Sequence, residues 1–479
     1  ASTYKTYHLN YEGFVVYTNN SFGGAYRGYG NPQLMFGYEQ HIDHLAEKIG
    51  MDAVEFRLKN VVETGYEKAD GTKFKSCGLK ECIRKTTEEI QWKERRGARS
   101  RDGAKVRGVG IACGTHAAGS RGGQNTFIWR TGFRRPEDLY EADSSSPVVV
   151  KREDGSVTWR KYFDKVPRYD SDASSCILRV NEDGTVNLEI PEIEYGQGLL
   201  TTMSMIVAEE LGIRVEDVRV KSGDTDGGAW GAPTFASRVT TIGGRAVLGA
   251  AQEAKRILFN LAGELMEANP KDIEARERKI FVKGTDKYCH IEDAAFLAYA
   301  TRDAGFLTVR GYWDADDSKL LDLETGEGTQ AFAHIFFACG IEVEVDTETG
   351  ETKILKIAGA YDAGRIINPL GAEGQIEGAT AQGMGFGCME DLKWENGRVM
   401  HTNFTKYHMP TALDLPKDIQ TCFVETYEKS GPFGAKGLGE PAHVPQPAAL
   451  ANAIYDATGK RMHSLPMTPE KILLALKNE

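Results

Sequence analysis

Four glycine-rich segments of this chain combine with glutamines and one glutamate in a pattern that could bind an anionic ligand. They are Gly23 to Gly30, Gly196-Gln197-Gly198, Gly371 to Gly387, and Gly431 to Pro441, which includes Glu440. Glycine permits a positive φ and lets backbone N–H groups come close to the oxygens of a bulky ligand. Taken singly, each segment also fits an ordinary tight turn. Their coincidence favours a site for a large anionic cofactor.

The segment Gly196-Gln197-Gly198 lies between a predicted strand and a helix that begins near Leu199. The N–H groups at a helix N-terminus attract phosphate and other anions. The segment differs from the dinucleotide-binding fingerprint, because the third glycine is missing and Thr201 and Thr202 follow instead. It therefore predicts an anion contact without predicting a nicotinamide or flavin dinucleotide.

Hairpins and long helices must position these segments. Asn31-Pro32 predicts a helix start with an N-cap acceptor, and apolar residues recur at helical spacing until Gly50. Residues 177–190 predict a β-hairpin with an Asp-Gly turn. The other predicted elements are helices at 199–211, 245–268, 447–457 and 469–476, strands at 218–222, 341–345 and 352–361, and a short helix near Asp52. This mixture predicts an α+β fold with multiple packed subdomains.

Composition excludes some classes of function. The chain has 479 residues and a net charge of −11, and its pI is about 5.6, so no nucleic-acid partner is expected. Its apolar runs are shorter than the roughly 20 residues of a membrane span, and no export signal is visible. We expect a cytoplasmic location and no membrane span.

The cysteines and histidines do not form a recognisable metal site. The eight cysteines are scattered, and no pair has the C-x-x-C spacing of zinc or iron–sulfur ligands. His116 and His443 also lack metal-ligand spacing and are interpreted as ordinary polar residues. Lys436 is interpreted as a charge on the surface or behind the site.

The periodicity disappears between about 117 and 175, where arginines and single aromatic residues predominate. A long insertion in a compact protein is usually functional or mobile. The stretch could cap a substrate funnel and offer an arginine to an anionic substrate group. A subunit contact or a surface excursion is the alternative interpretation. The candidate arginines are Arg121, Arg130, Arg134 and Arg135.

Five motifs in the same order resemble segments of the molybdenum hydroxylases, the xanthine oxidase and aldehyde oxidoreductase family. The resemblance covers nearly the whole chain apart from residues 117–175. The segments are Gly24-Ala-Tyr-Arg-Gly-Tyr-Gly-Asn-Pro-Gln33, Gly196-Gln-Gly198 with Ala208-Glu-Glu-Leu-Gly212, Ala232-Pro-Thr-Phe-Ala-Ser237, Asp362-Ala-Gly-Arg-Ile-Ile-Asn-Pro369 with Gly374-Gln-Ile-Glu-Gly378, and Gly437-Leu-Gly-Glu-Pro441.

The resemblance implies a role for several residues. Glu440 takes the position of the family's catalytic base. Tyr29 replaces the more usual Phe at the position of a ring that stacks on the substrate, and it adds a hydroxyl. The implied cofactor contacts are Gly196, Gln197, Gly198, Ser237, Gln375 and Arg27, and the implied substrate contacts are Arg27, Tyr29, Phe235 and Ala236.

The resemblance also implies a molybdopterin cofactor, which we expect in its cytosine dinucleotide form. Molybdenum would be held through the pterin dithiolene, with no ligand from the protein. The implied reaction hydroxylates an electron-poor carbon with oxygen from water, and Glu440 removes a proton. Two electrons must leave, and the sequence shows no iron–sulfur cysteine run and no flavin motif. Iron–sulfur clusters and FAD are therefore expected in partner subunits.

The family's catalytic subunit is normally longer, and its first half is missing here. The chain is interpreted as one half of a split subunit, with a fragment as the alternative, and a further subunit is expected to supply the N-terminal half. The predicted domains are residues 1–90, the end of a first molybdopterin-binding subdomain, and residues 91–479, a second one that carries the insertion.

The sequence leaves the substrate open among purines, other N-heteroaromatics, aldehydes and aromatic thioesters. Tyr29 and the aromatic insertion favour a flat, purine-like N-heteroaromatic. An aldehyde or aromatic CoA-thioester oxidoreductase of the same family is the alternative. A noncatalytic scaffold is a further rival, although such a subunit would be expected to lose Glu440. A glycine-loop nucleotide-binding enzyme is disfavoured because the phosphate-loop lysine motif is missing.

Overall fold

A computed structural model gives the architecture of the chain. It describes residues 3–8, 14, 16–20, 23–98, 100–119, 148–151, 157–160, 172–226, 228–301, 307–314, 331 and 333–477. The α-helices in these ranges are α1 (Asn31–Lys48), α2 (Ala53–Asn60), α3 (Leu79–Glu89), α4 (Trp92–Arg95), α5 (Leu199–Leu211), α6 (Gly244–Met266), α7 (Ile291–Thr301), α8 (Pro369–Cys388), α9 (Gln446–Thr458) and α10 (Pro469–Lys477).

The strands of the described residues form two larger sheets, a three-stranded sheet and two small hairpins. They are β1 (Arg101–Asp102), β2 (Lys105–Ala118), β3 (Val148–Lys151), β4 (Val157–Arg160), β5 (Ser174–Val180), β6 (Val186–Ile190), β7 (Val218–Ser222), β8 (Ile273–Arg276), β9 (Lys279–Val282), β10 (Tyr288–His290), β11 (Leu307–Trp313), β12 (Ala333–Asp346), β13 (Thr352–Asp362), β14 (Trp394–Glu395), β15 (Arg398–Val399) and β16 (Asp418–Val424).

The larger sheet has the order β1-β2-β12-β13-β16 and is antiparallel except for the β13–β16 pair. Helix α3 packs on β12 and β13, and α9 packs on β2 and β12. Phe336 and Ala338 of β12 belong to the same core cluster as Ile83 of α3. Ile341 and Val343 belong to the cluster that contains the apolar side chains of α9. The sheet is therefore covered by helices on both faces.

Close packing of β2 against α9 depends on glycine. A Cβ atom on Gly110 would lie 2.2 Å from the backbone nitrogen of Ala453, and one on Gly108 would lie 2.3 Å from that of Ala457. No side chain fits at these distances, so the helix backbone lies directly on the strand. This contact fixes the position of α9, which follows the segment that bears Glu440.

The second large sheet has the order β11-β5-β6-β7 and supports α5 and α6. Apolar side chains of these helices form one core cluster with the sheet, including Leu178, Leu188, Met203 and Val247. Helix α5 begins directly after the Gly196-Gln197-Gly198 segment. The sheet and α5 therefore determine where that segment lies.

These observations confirm the α+β fold class, and the elements predicted near residues 31–61, 177–222, 244–268 and 446–477 are present. The predicted N-cap of α1 is wrong. Gly30 occupies the N-cap with a φ of 82°, and no side chain caps the helix. A left-handed residue before Asn31 turns the chain without a side-chain acceptor. The side chain of Asn31 is therefore available for another contact.

Two further expectations about elements need correction. The glycine-rich segment at 371–387, expected to offer backbone N–H groups to a ligand through a positive φ, is the helix α8, and none of its glycines has a positive φ. The stretch at 117–175, expected to be irregular, contains the end of β2, the β3–β4 hairpin and the start of β5. Arg121, Arg130, Arg134 and Arg135 lie outside the described residues.

The N-terminal region is anchored to the large sheet by buried charges. The guanidinium of Arg57 on α2 donates to Glu39 Oε2 at 2.9 Å and to Asp43 Oδ1 at 2.7 Å, and all three side chains are fully buried. The same Glu39 oxygen accepts a hydrogen bond from the backbone nitrogen of Cys113 on β2 at 2.9 Å. Helix α1 is thereby fixed against the strand that carries His116.

In the part of the chain that the structure describes, the helices are too short or too polar to cross a bilayer. The cytoplasmic location stays a prediction.

Candidate functional site

One cleft of about 560 Å³ brings the predicted site segments together. Its lining residues fall within 25–29, 195–202, 234–240, 363–382 and 436–440. All five segments contain residues of the motifs identified in the sequence. The fold thus joins parts of the chain that are separated by up to several hundred residues.

Glu440 lies in the wall of this cleft and is held through its backbone and its side chain. Its backbone nitrogen donates to Ser237 Oγ at 2.9 Å, and its Oε1 accepts a longer bond from the backbone nitrogen of Gly28 at 3.4 Å. The side chain is 14% exposed. Ser237 and Ala236 both have a positive φ, 51° and 48°, which costs energy in non-glycine residues. Such strained backbone is common where a site demands a fixed geometry.

Arg27 connects the segment of Glu440 to helix α8. Its Nε donates to the carbonyl oxygen of Gly439 at 2.6 Å. One terminal nitrogen donates to Gln382 Oε1 at 2.9 Å, and the other donates to Gln375 Oε1 at 3.1 Å. A planar guanidinium can serve three acceptors in this fixed geometry. Both amide oxygens are thereby occupied, and no residue in the described part of the chain accepts from the NH₂ group of either glutamine, so both can donate to a ligand.

Helix α8 explains why these two glutamines act together. Gln375 and Gln382 are seven residues apart, which is close to two helical turns, so they lie on the same face. Gly374 and Gly378 have no heavy atom within 4 Å of the position of a Cβ. The helix thus leaves space beside its glutamines. Gln382 was noted in the sequence but was not predicted to have a role.

The Gly196-Gln197-Gly198 segment presents its N–H groups to a carboxylate of the chain itself. Glu194 Oε1 accepts from the backbone nitrogens of Gly196 at 2.7 Å and Gly198 at 3.1 Å, and its Oε2 accepts from Leu200 at 3.1 Å. Gly196 and Gln197 line the cleft, whereas Gly198 is the N-cap of α5 with a φ of 82°. Gln197 therefore faces the cleft from a rigid turn.

Aromatic rings form the more open side of the cleft. Tyr29 and Tyr195 are 57% and 68% exposed, and Phe235 and Ala236 lie in the same lining. Partial burial, together with the negative charge of Glu440, raises the pKa of Tyr29 and of Tyr195 above that of an ordinary phenol. Both phenols are therefore neutral near neutral pH. Tyr195 was not singled out in the sequence, since it precedes the recognised motif by one residue.

His116 is a site residue that the sequence analysis missed. Its Nε2 lies 2.9 Å from Glu440 Oε2, and its Nδ1 lies 2.7 Å from Asn31 Nδ2. It was interpreted as an ordinary polar residue because metal-ligand spacing was the only signal considered. A contact across 324 positions of the chain leaves no mark in local spacing.

Lys436 is buried, which corrects its interpretation as a possible surface charge. Its Nζ donates to Asp362 Oδ2 at 2.8 Å, and neither side chain is exposed. Asp362 also accepts from Thr426 Oγ1 at 2.7 Å and from the backbone nitrogen of Gly78 at 2.8 Å. A buried charge pair is retained only where its remaining hydrogen bonds are satisfied. The pair supports the segment of Glu440 from behind.

Comparison with known proteins agrees with this geometry. Residues 85–416 match the family described as Molybdopterin cofactor-binding domain, and residues 1–61 match a second family with the same description. The chain belongs to the molybdopterin-binding xanthine oxidase family. The suspected relationship is thus confirmed. The division into residues 1–90 and 91–479 stays a prediction.

Curated relatives in this family are longer than the chain. It is 30% identical over 469 residues to the putative xanthine dehydrogenase molybdenum-binding subunit XdhA of Escherichia coli (strain K12), covering 96% of this chain and 54% of that protein. It is 28% identical over 480 residues to the nicotine 6-hydroxylase large subunit of Paenarthrobacter nicotinovorans, covering 98% and 52%. The chain spans about half the length of these relatives.

A solved structure of the family has the same fold. Quinoline 2-oxidoreductase from Pseudomonas putida 86 superposes with a TM-score of 0.76 at 26% identity, covering 95% of this chain and 53% of that one. The arrangement of sheets and helices described above is therefore the family's own.

The cleft suits the family's cofactor in its chemistry. Molybdopterin carries a phosphate and a pterin ring with acceptor atoms, and such a group needs hydrogen-bond donors. The guanidinium of Arg27 and the amide NH₂ groups of Gln375 and Gln382 provide them. Among the described residues that line the cleft, Glu440 is the only carboxylate. The residues present fit an anionic, oxygen-rich cofactor with the carboxyl group of Glu440 beside it.

Proposed function

We propose that this chain is the base-bearing part of the catalytic unit of a molybdenum hydroxylase that acts on a flat N-heteroaromatic substrate. One observation carries the proposal: Glu440 lies beside the donors of Arg27, Gln375 and Gln382 in a single cleft. The reaction converts a carbon–hydrogen bond into a carbon–hydroxyl bond with oxygen from water, and two electrons leave the substrate. The bound cofactor supplies the redox chemistry.

The side chains around the cofactor would have three roles: binding the cofactor, positioning Glu440 and removing a proton. Gln375 and Gln382 hold the cofactor through their amide groups, and Arg27 keeps both in place. Gln197 borders the cofactor, with its amide bonded to the backbone of Ile193 and Tyr195. Ser237 fixes the backbone of Glu440. The carboxylate of Glu440 takes the proton that the attacking oxygen loses. A base with this role contributes about 10² to 10⁴ in rate.

The aromatic rings on the open side of the cleft favour a flat substrate. Tyr29 and Tyr195 are exposed and neutral, and both lie close enough to Glu440 to be affected by its charge. Phenol rings stack on planar aromatic molecules, and their hydroxyls can hydrogen-bond to ring nitrogens. Phe235 and Ala236 complete the substrate side. Names of several relatives, among them quinoline and nicotine enzymes, agree with this class of substrate.

Further subunits belong to the proposal. The chain spans about half the length of its curated relatives, so the catalytic unit would also need the remaining part that those relatives contain. Electrons would pass to iron–sulfur and flavin subunits. The cofactor would be the cytosine dinucleotide form of molybdopterin.

The test uses the complete complex purified with its partners. Glu440→Gln and Glu440→Ala should keep the molybdenum content and lower turnover by at least about 10² to 10⁴. Turnover is measured with hypoxanthine, quinoline, nicotine and benzaldehyde, with dichlorophenolindophenol as the electron acceptor. Glu253→Gln on the exposed side of α6 is the matched control, because Glu253 pairs only with Arg256 on its own helix among the described residues. It should retain the parent activity.

Other outcomes would favour the rivals. Rapid oxidation of benzaldehyde with no turnover of the three heteroaromatics would favour an aldehyde oxidoreductase. A complex that contains molybdenum in another subunit and none bound to this chain would favour a scaffold. Turnover of the Glu440 variants within a few-fold of the parent would refute the assignment of the base.

A further inference from the structure

His116 lies behind the candidate base and is almost inaccessible to solvent. Its Nε2 is 2.9 Å from Glu440 Oε2, and its side chain is 5% exposed. It projects from β2, where it is the register partner of Ile335 on β12. In the described residues, β2 pairs with β12 along its whole length, His116 included, so the backbone that carries the imidazole is fixed. The ring can therefore hold Glu440 in one orientation.

Asn31 determines which nitrogen of the ring carries the proton. Its Nδ2 lies 2.7 Å from His116 Nδ1. An amide NH₂ group can only donate, so Nδ1 accepts and carries no proton. The neutral imidazole then has its proton on Nε2, which donates to Glu440 Oε2. Asn31 is free to do so because Gly30, and no side chain, caps α1.

The two oxygens of Glu440 are consequently different. Oε2 is occupied by the short bond from His116, whereas Oε1 has, among the residues that the structure describes, only the 3.4 Å contact with the backbone nitrogen of Gly28. A hydrogen bond donated to a carboxylate stabilises its charged form and fixes its rotamer. Oε1 is thus the oxygen available to the cleft.

We propose that His116 and Asn31 are positioning residues that hold the carboxyl group of Glu440 in one orientation, with Oε2 anchored and Oε1 directed to the substrate. The proposal rests on the proposed role of Glu440 as the base. Neither residue is among the described residues that line the cleft. The loss of either one should therefore slow the chemical step and leave binding of substrate and cofactor nearly unchanged.

The experiment compares variants of the complete complex with quinoline and hypoxanthine as probes, again with dichlorophenolindophenol. His116→Leu should lower kcat by about 10-fold to 100-fold, the range expected for losing a hydrogen bond to a charged group. KM should stay within about threefold, and molybdenum content should not change. His116→Gln retains an N–H donor and should restore part of kcat. Asn31→Leu should lower kcat in the same direction, because it leaves the ring tautomer undetermined.

A double-mutant cycle separates this proposal from the proposed function. In a Glu440→Gln background, His116→Leu should cause no further loss, since both residues would act through one carboxylate. His334→Leu is the matched control. It removes another buried imidazole, from β12, which packs edge-on to Phe74 at 4.8 Å and makes no hydrogen bond to Glu440 in the described part of the chain.

Three results would overturn the proposal. The first is an unchanged kcat for His116→Leu and for Asn31→Leu while Glu440→Gln is inactive. The base would then act without either positioning residue. The second is an equal loss of kcat when His116→Leu is introduced into the parent protein and into the Glu440→Gln variant. The third is a loss of molybdenum from both His116 variants and from Asn31→Leu, which would make the cluster structural. An active Glu440→Gln would instead refute the proposed function itself.

Discussion

His443 is a buried ionisable side chain close to the candidate base, within the short turn Pro441–His443 that follows Glu440. Its ring packs edge-on to Tyr26 at 5.1 Å and to Phe386 at 5.9 Å. Burial lowers the pKa of His443 from 6.5 to about 4. The ring is thus neutral in the folded protein at neutral pH.

This lowered pKa predicts a pH-dependent loss of stability. The unfolded chain takes up a proton on His443 below about pH 6.5, whereas the folded chain does so only near pH 4. Protonation of His443 therefore leaves the free energy of unfolding unchanged above pH 6.5 and lowers it by about 3 kcal/mol as the pH drops to 4. His443→Phe keeps an aromatic ring and should reduce this dependence. Urea unfolding at several pH values measures it.

The control for that measurement is His463→Phe, because His463 is exposed. It should leave the pH dependence of unfolding as it is in the parent protein. Equal pH dependence for the parent and His443→Phe would show that the buried ring is not responsible.

At the scale of the elements, the close contact between β2 and α9 gives a stability prediction. Gly110→Ala places a Cβ atom about 2.2 Å from the backbone nitrogen of Ala453, and the helix must move. Such overpacking typically costs about 1 to 3 kcal/mol. Gly249→Ala on α6 is the matched control, since nothing lies within 4 Å of its Cβ position. It should stabilise the protein by up to about 1 kcal/mol.

Denaturant unfolding of both glycine variants checks this prediction. If Gly110→Ala were as stable as Gly249→Ala, the strand and the helix would not be in backbone contact.

Helices and strands could be predicted from the sequence where one face of the element is polar or where a turn residue marks its end. Helix α1 and the β5–β6 hairpin have such patterns, and both were located. Strand β2 was not, because it is buried on both faces over most of its length and has no alternation. Helix α8 was mistaken for a loop because each of its glycines disfavours a helix by nearly 1 kcal/mol. Packing against α9 outweighs that cost.

The sequence predicted the motif residues that line the candidate site. It did not predict the contacts that support them. Tyr29, Phe235 and Gln375 line one cleft with Glu440, as the order of the motifs suggested. The hydrogen bond of His116 and the ion pair of Lys436 with Asp362 join distant parts of the chain. Such contacts depend on tertiary packing, which single-sequence patterns do not contain.

At the scale of the whole molecule, large apolar side chains are unusually exposed. Phe14, Tyr17, Leu370, Phe404 and Leu413 are each more than three quarters exposed. Exposed apolar surface of this kind often marks an interface. Together with a length of about half that of its relatives, it supports the expectation that other polypeptides cover part of the chain.

We therefore predict that the chain expressed alone neither retains molybdenum nor stays monodisperse. Coexpression with the other subunits of its complex should restore both properties, and the purified complex should contain iron–sulfur centres. Size-exclusion chromatography with metal analysis distinguishes the two preparations. A stable monomer loaded with molybdenum would contradict this prediction.

The contacts of Asp362 limit where the chain can be cut or joined to a segment of a related protein. Its carboxylate joins Gly78, which precedes the predicted boundary at residue 90, to Thr426 and Lys436 near the other end of the chain. Cutting the chain at that boundary would leave a fully buried charged group without part of its partners, at a cost that neither piece could recover alone. Chimeras with a crossover between these two positions should therefore keep glycine at position 78, because a Cβ atom there would lie 2.6 Å from Val424 and 3.1 Å from the Asp362 carboxylate.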